Sequence, residues 1–383
     1  MSLNASARLI EDETEHEYEY EYEDEDELGA VMPFAELLLR STKILTLPLD
    51  PARIRERRSS LIFLVPRSHP QRPRNLPMSS EHDVGKMSIT ARVVNIIAVV
   101  LPFAGLITAI FLLWGWGFSW CALGVLLGMY VATVLGVTVG YHRLYTHRSF
   151  ETRGVVKVAL TVLGSMAAQG PLIRWVAVHR RHHQHSDEHG DPHSPHQSGN
   201  GTLGVLRGLW HAHMGWLFHS DAPNLMNCVR DLERSRLVRV VSALFPLWLV
   251  VGLVLPAVIG GVITLSWSGA LLGFIWGGMV RIFLVHHVTW SVNSVCHMIG
   301  SRPFQTRDNS RNNLVFGVLA LGEGWHNNHH AFPTSARHGL RWWQLDLSYL
   351  FIRALAMMNL AWNVRRPGAD HINARTRIGA PST

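Results

Sequence analysis

Three histidine clusters give this 383-residue chain its chemical character: His142-Arg-Leu-Tyr-Thr-His147, His179-Arg-Arg-His182-His183 and His326-Asn-Asn-His329-His330. On a helix, positions i, i+3 and i+4 project from one face. His179, His182 and His183 are therefore expected to converge on one point, and the later triplet repeats the pattern. The five-residue spacing of His142 and His147 puts their rings roughly 140° apart on an ideal helix, which suits opposite sides of a shared site. Asn293 and His297 are four apart and share a helical face. Nine imidazoles exceed what one ion takes, so two metals are expected. A thiolate-free, imidazole-rich set suits iron, zinc or copper. The three cysteines lie far apart with no CxxC spacing, so neither a disulfide framework nor a thiolate site is indicated.

The elements that must hold these residues are apolar. Only 16% of the residues are charged, against about a quarter in soluble domains, which favours a membrane class. From Val93 to His142 there is no Asp, Glu, Lys or Arg. One helix of that length would measure roughly 75 Å against a hydrocarbon core of about 30 Å, so the stretch must cross twice. The uncharged stretch from Val240 to Val280 demands the same. The fold expected is an all-α integral membrane protein of two hairpins, with spans near 93–113, 120–141, 240–260 and 266–287. A cytosolic helical cap then carries the histidines. The turn at Trp114–Ser119 and the one near Gly260, Gly261 and Trp267 lack Lys and Arg, whereas the flanks are rich in them. The positive-inside rule accordingly places both termini and every histidine cluster on the cytoplasmic side.

Small residues recur at i+4 spacing in the second span (Gly124, Gly128, Ala132, Gly136, Gly140) and in the fourth (Gly269, Gly273, Gly277). Such rows let helices approach closely in lipid. Gly154 to Gly170 is apolar but short, and reads as buried or re-entrant beneath the site. Asp346 to Val364 reads as an interfacial helix with Asp346 near its N-cap.

Twelve of the 28 acids fall within residues 1–30 beside one arginine, a local net of −11 that leaves +18 for the remainder. Residues 1–86 read as a disordered acidic and then Arg/Pro-rich tail; the alternative is natural translation from Met78 or Met87. Residues 87–364 form the expected membrane domain, and residues 365–383 a loose basic tail. The basic body suits an anionic membrane surface, and no nucleic-acid-binding signature is present.

Taken together, HRLYTH at 142–147, HRRHH at 179–183, DPH at 191–193, NSVCH at 293–297 and GEGWHNNHH at 322–330 resemble the motifs of membrane-bound fatty acyl desaturases, specifically the stearoyl-CoA Δ9 type. The likeness runs from about Met87 to Trp343. It implies a four-span fold with a cytosolic di-iron centre and O2-dependent insertion of a cis double bond, usually between carbons 9 and 10 of a saturated C16 or C18 chain carried by coenzyme A. By the same resemblance His142, His147, His179, His182, His183, His297, His326, His329 and His330 are the iron ligands, with Asn293 contacting iron through water. Gln169, Trp175, Thr289 and Trp290 fall where the family bends its acyl tunnel. Asp187, Glu188, Asp191 and Glu323 are candidates for orienting the imidazoles. His185, His189, His193, His196, His211, His213, His219, His286, His287 and His338 are expected in structural or solvated roles, His286 lying on the Asn293 face.

Two departures bear on this reading. Animal relatives carry basic residues for the coenzyme A head group where Ala177-Val178 and Ser220-Asp221 stand, so lipid-linked and carrier-protein substrates stay open. Ser335-Ala-Arg-His-Gly-Leu340 resembles the bacterial branch, which implies a bacterial inner membrane. No cytochrome-b5-like haem motif is legible, so electrons are expected from a separate ferredoxin, cytochrome or reductase, docking on the basic cytoplasmic face. The nearest rival is a related di-iron lipid hydroxylase. A metal transporter is a remote one, since transporters hold ions near the midplane, whereas these clusters lie just outside the apolar stretches.

Overall fold

The computed structural model describes residues 87–376 apart from 114–116, 200 and 221–223. The N-terminal tail, the Trp114–Trp116 turn, Asp221 and the last residues lie outside the described part. Among the described residues, four helices are long and apolar enough to cross a membrane. Helix α1 spans Ile89–Leu113, and α2 spans Trp120–Leu135 and continues in π turns over Gly136–Thr146. Shorter helices follow, among them α3 over Gly154–Met166, α4 over Leu172–His185, α5 over Gly201–His213 and α6 over Arg236–Ala243. Helix α7 spans Phe245–Thr264. Helix α8 begins at Trp267–Leu272, winds as π turns over Gly273–Val280 and runs on through Arg281–Ser294 to Val295–His297. In the cap, α9 spans His326–Ala331 and α10 spans Leu347–Met357.

The inner and outer helices divide by burial. In α1 and α7 only 17% of the apolar window is buried, against 56% in α2 and 61% in α8. The helices that run on into the histidines are thus the ones the rest of the protein encloses. Each starts alike, with a serine ahead of a tryptophan: Ser119 Oγ accepts from Ala122 N at 3.0 Å and Ser266 Oγ from Gly269 N at 3.0 Å. An N-cap of this kind satisfies one of the orphan N–H groups at a helix start.

The inner halves of the small-residue rows do pack closely. A Cβ at Gly136 would run into the Leu163–Gly164 backbone, one at Gly140 would stand 3.0 Å from Leu160 Cβ, and one at Gly277 would meet Pro256 and Val125 at 2.6 Å. Gly124 and Gly128 have nothing within 4 Å of such an atom, so the row of α2 acts only where that helix meets α3. Helix α3 has 13 residues, about 20 Å, too short to span.

Several boundaries differ from the expectation. The third span begins at Phe245 rather than at 240, because residues 236–243 fold as the separate helix α6, capped by Ser235. Asp346 does cap α10, accepting from Tyr349 N at 2.9 Å. That helix ends at Met357, however, and Ala361–Trp362 forms a strand, β2, paired antiparallel with β1 at Glu151–Thr152. Beyond Arg365 the chain is not loose as far as Thr376. Arg365 N donates to Ser149 O at 2.9 Å, and Ala369–Arg375 is a helix whose Arg375 stands over the Phe332 ring.

Candidate metal centre and substrate cavity

All nine histidines singled out by spacing come together, in two groups. His142, His147, His179, His183 and His329 form one; His182, His297, His326 and His330 form the other, with the donor nitrogens of each lying within 4.8 Å of one another. The triplets therefore do not each converge on one point. At about 100° per residue, i and i+4 lie roughly 40° apart while i+3 falls about 60° to the other side of i. His179 and His183 go to the first group and His182 to the second; His326 and His330 go to the second and His329 to the first.

His142 and His147 join the same group for a different reason. The end of α2 is wound as a π-helix, and His147 N donates to His142 O at 3.1 Å, a five-residue step. Residues five apart come into register there, so the separation of about 140° expected for an α-helix does not arise.

The donor set fits a transition metal. Nε2 atoms approach at 3.1 Å (His142 and His329), 3.1 Å (His179 and His183), 3.0 Å (His183 and His329) and 3.0 Å (His297 and His326). Two imidazoles bound at about 2.1 Å and at right angles would put their nitrogens roughly 3.0 Å apart. The buried Nε2 atoms of His147, His182 and His330 have no hydrogen-bond partner among the described residues, as expected of lone pairs kept for an ion.

Carboxylates orient the rings from behind. His142 Nδ1 lies 2.6 Å from Glu323, His182 Nδ1 3.0 Å from Asp191, His297 Nδ1 2.9 Å from Asp187 and His330 Nδ1 2.8 Å from Asp308. An Nδ1–H held by a carboxylate fixes the tautomer and leaves Nε2 free to bind a metal. Glu188, offered for the same work, is exposed and meets Gln197 only through its backbone oxygen. Asp308 was missed, although it is the only acid between Glu233 and Glu323 in the sequence. His338 was also assigned too little. Its ring is buried beside His329 at 4.5 Å, and its Nδ1 lies 3.4 Å from Glu323 and 3.2 Å from Arg143 Nη2.

Burial would raise the Glu323 carboxyl, but His142, His338 and Arg143 around it more than offset this and hold it well below the ordinary range. Burial also tends to raise Asp308, and His330 with the Ser310 N–H outweighs it, so that carboxyl too is lowered. Burial first, then the neighbouring rings, pushes His147, His179, His183, His326 and His329 well below the usual histidine value. They are neutral donors at pH 7.

A cavity adjoins both groups, bordered by His142 and His179 from one and His326 from the other. The four residues expected at an acyl bend line it as well. Trp175 Nε1 donates to Gln169 Oε1 at 3.2 Å, and Gln169 Nε2 to Thr289 Oγ1 at 2.5 Å. Trp175 also stacks on His179, with centroids 5.1 Å apart and planes 14° apart. Asn293 lines the cavity beside His326, with no hydrogen-bond partner among the described residues. His286 is no part of either histidine group; its Nε2 donates to Ala168 O at 2.9 Å.

Four apolar spans, two buried imidazole clusters and a largely apolar cavity between them define a membrane metalloprotein built to work on a hydrophobic molecule. The comparisons narrow that class. The fatty acid desaturase family model matches residues 119–365, and the chain belongs to the fatty acid desaturase family. It is 46% identical over 278 residues to a hex-5-enoyl-[acyl-carrier protein] acetylenase of Moorena producens, covering 72% of this chain and 87% of that one. It is 40% identical over 273 residues to an sn-1 stearoyl-lipid 9-desaturase of Anabaena variabilis, covering 69% and 92%. An icosanoyl-CoA 5-desaturase of Limnanthes douglasii is 35% identical over 285 residues, covering 73% and 72%.

Proposed function

We propose that the chain uses two iron ions and O2 to insert a cis double bond between carbons 9 and 10 of a saturated C16 or C18 acyl chain, with coenzyme A as the carrier that the sequence resemblance implies. The observation that carries this reading is the cavity, bordered by imidazoles of both clusters and by the Trp175–Gln169–Thr289 hydrogen-bond chain. The nine histidines would hold the irons, with Asn293 reaching one of them through water. A bound iron pair supplies the activation of O2 that no side chain can provide against an unactivated C–H bond. The balance is two protons and two electrons from the acyl chain, with two further electrons and two protons from elsewhere, reducing O2 to two waters. The two external electrons would come from a separate ferredoxin, cytochrome or reductase.

The protein's own part is placement and dryness. Val137 and Val178 make the cavity wall apolar. Gln169 and Thr289, tied together, form a fixed obstacle round which a chain must bend, and Trp175 couples that bend to His179. The charge pattern supports an orientation with the site and both termini cytoplasmic, and the likeness of Ser335–Leu340 to the bacterial branch supports a bacterial inner membrane.

A second reading keeps the reaction and changes the carrier to a membrane lipid. Ala177 and Val178, where animal relatives carry basic residues, are 0% and 7% exposed, so they offer nothing to a polar head group. The Anabaena relative is also named for a lipid-linked substrate.

The test is the fatty-acid profile of an unsaturated-fatty-acid auxotroph expressing the chain, beside a His183→Ala control, followed by purified enzyme given labelled acyl-CoA or labelled glycerolipid. A new cis monoene that is absent from the control is expected. A hydroxylated chain would replace this reading with the related hydroxylase, and label conversion identifies the carrier.

A further inference from the structure

The loop from Met166 to Gly170 is held against α8 at three successive points. Arg281 Nη1 donates to Met166 O at 2.5 Å, His286 Nε2 to Ala168 O at 2.9 Å, and Gln169 Nε2 to Thr289 Oγ1 at 2.5 Å. Only the last belongs to the bend already described.

Arg281 is 0% exposed and its guanidinium meets carbonyl oxygens: Met166, Gly277 at 3.1 Å and Gly252 at 2.6 Å. Each oxygen has a reason to be available. Met166 ends α3, whose last carbonyls have no helical partner and carry the negative end of the helix dipole. Gly252 would normally accept from the N–H of residue 256, which is Pro256 and has none. Gly277 lies in the π turns, where the usual ladder is displaced. A guanidinium offers five donors in a fixed fork, so one side chain joins α3, α7 and α8 at the point where the loop begins.

His286 holds the next residue. Ala168 has φ +60° and Gly170 φ +98°, and a left-handed alanine is a conformation that needs its surroundings to hold it. The His286 ring packs on Trp290 with centroids 4.8 Å apart. The loop also has two faces. Ala168 and Gly170 line both the cavity beside the histidine clusters and a second groove walled by α1, α7 and α8. The loop is therefore part of the partition between the two spaces.

We propose that Arg281 and His286 are positioning residues for substrate register. By fixing the Met166–Gly170 loop they set where an acyl chain turns, and so which carbons lie beside the metal centre. This rests on the desaturase reading of the cavity.

His286→Phe keeps a ring against Trp290 and removes the donor to Ala168 O; Arg281→Lys keeps the charge but cannot span three carbonyls. Both variants, His286→Gln and the wild type would be expressed in the auxotroph, and the positional isomers of the monoene quantified per bound iron. The expected result is a rise of about fivefold in minor isomers relative to the major one in His286→Phe, the factor that one lost hydrogen bond commands. Partial restoration is expected in His286→Gln, which regains a donor. A merely structural role would lower total product and leave the isomer ratio unchanged, and that result overturns the proposal. Should Arg281→Lys fail to accumulate, His286→Phe decides alone. A wild-type chain that makes no monoene with iron and an electron donor supplied would instead sink the desaturase reading, and this inference with it.

Discussion

Replacing Asp308 by asparagine should remove one metal ion and spare the other. Asp308 Oδ2 sits 2.8 Å from Nδ1 of His330, and its Oδ1 accepts from Ser310 N at 2.9 Å. The amide of Asp308→Asn can accept from only one of these two donors through its single oxygen, because its nitrogen would face the other N–H. The charge-assisted bond lost is worth about 1.5–3 kcal/mol. A mutated orienting partner lowers metal affinity by roughly 10–100-fold, which converts to about 1.4–2.7 kcal/mol, so the two approaches agree. His330 belongs only to the four-histidine group, and the five-histidine group has its own support in Glu323. The assay is metal content per chain during titration with a competing chelator. The variant should release its first ion at a chelator activity roughly 10–100-fold lower than the wild type does, and its second at the wild-type activity. Equal weakening of both ions, or of neither, would refute the assignment of Asp308 to one cluster.

Glu323→Gln should give the mirror result, weakening the ion of the five-histidine group, with an added loss of stability because the buried Arg143 keeps only Asp346, at 3.0 Å, as a carboxylate partner. Thermal unfolding together with the same chelator titration reads both effects. Gly136→Leu should abolish folding or metal loading, since its Cβ alone meets the Leu163–Gly164 backbone, whereas Gly124→Leu, at an open position, should change neither; yield and metal content of the purified variants decide. In metal-free protein the five histidines with lowered values bind fewer protons folded than unfolded. Stability should therefore be full above about pH 6.5 and fall as the pH drops through the unfolded histidine value, as measured by denaturant titration across that range.

The histidines were legible because ligation demands residue types at helical spacing, and nothing else in a membrane cap demands them so often. The spans were legible because length without charge has one physical outcome in lipid. What escaped the sequence was local winding and long-range pairing. The π turns at Gly136–Thr146 change the period from the one assumed, and so move His147 onto the face of His142. Asp308 reaches His330 across 22 residues of irregular chain, a distance that no periodicity reports. Val240 looked continuous with the third span because both are apolar, and only the backbone break at Leu244 separates them.

The same helical arithmetic explains why the two clusters share the helices that build them. In α4 the i and i+4 rings serve the five-member group and the i+3 ring the other; in α9 the assignment is reversed. Each short helix thereby carries rings for both groups, so that with an ion in each, loss of one would leave both helices anchored by the other. That is why stepwise metal release, rather than collapse of the whole centre, is the expected outcome of an Asp308 or Glu323 substitution. The asymmetry lies in what the long helices add. The end of α2 contributes two rings, His142 and His147, while the end of α8 contributes one, His297, with Asn293 four residues before it on the cavity wall. The second group thus has one imidazole fewer, and His326 is its ring on the cavity wall. Three carboxylates, Asp187, Asp191 and Asp308, support its rings, against Glu323 alone for the larger group. Fewer rings and more carboxylates behind them would make the four-histidine group the more electron-rich donor set for an ion held there, which is why its loss and that of the five-histidine group should be separable by chelator titration.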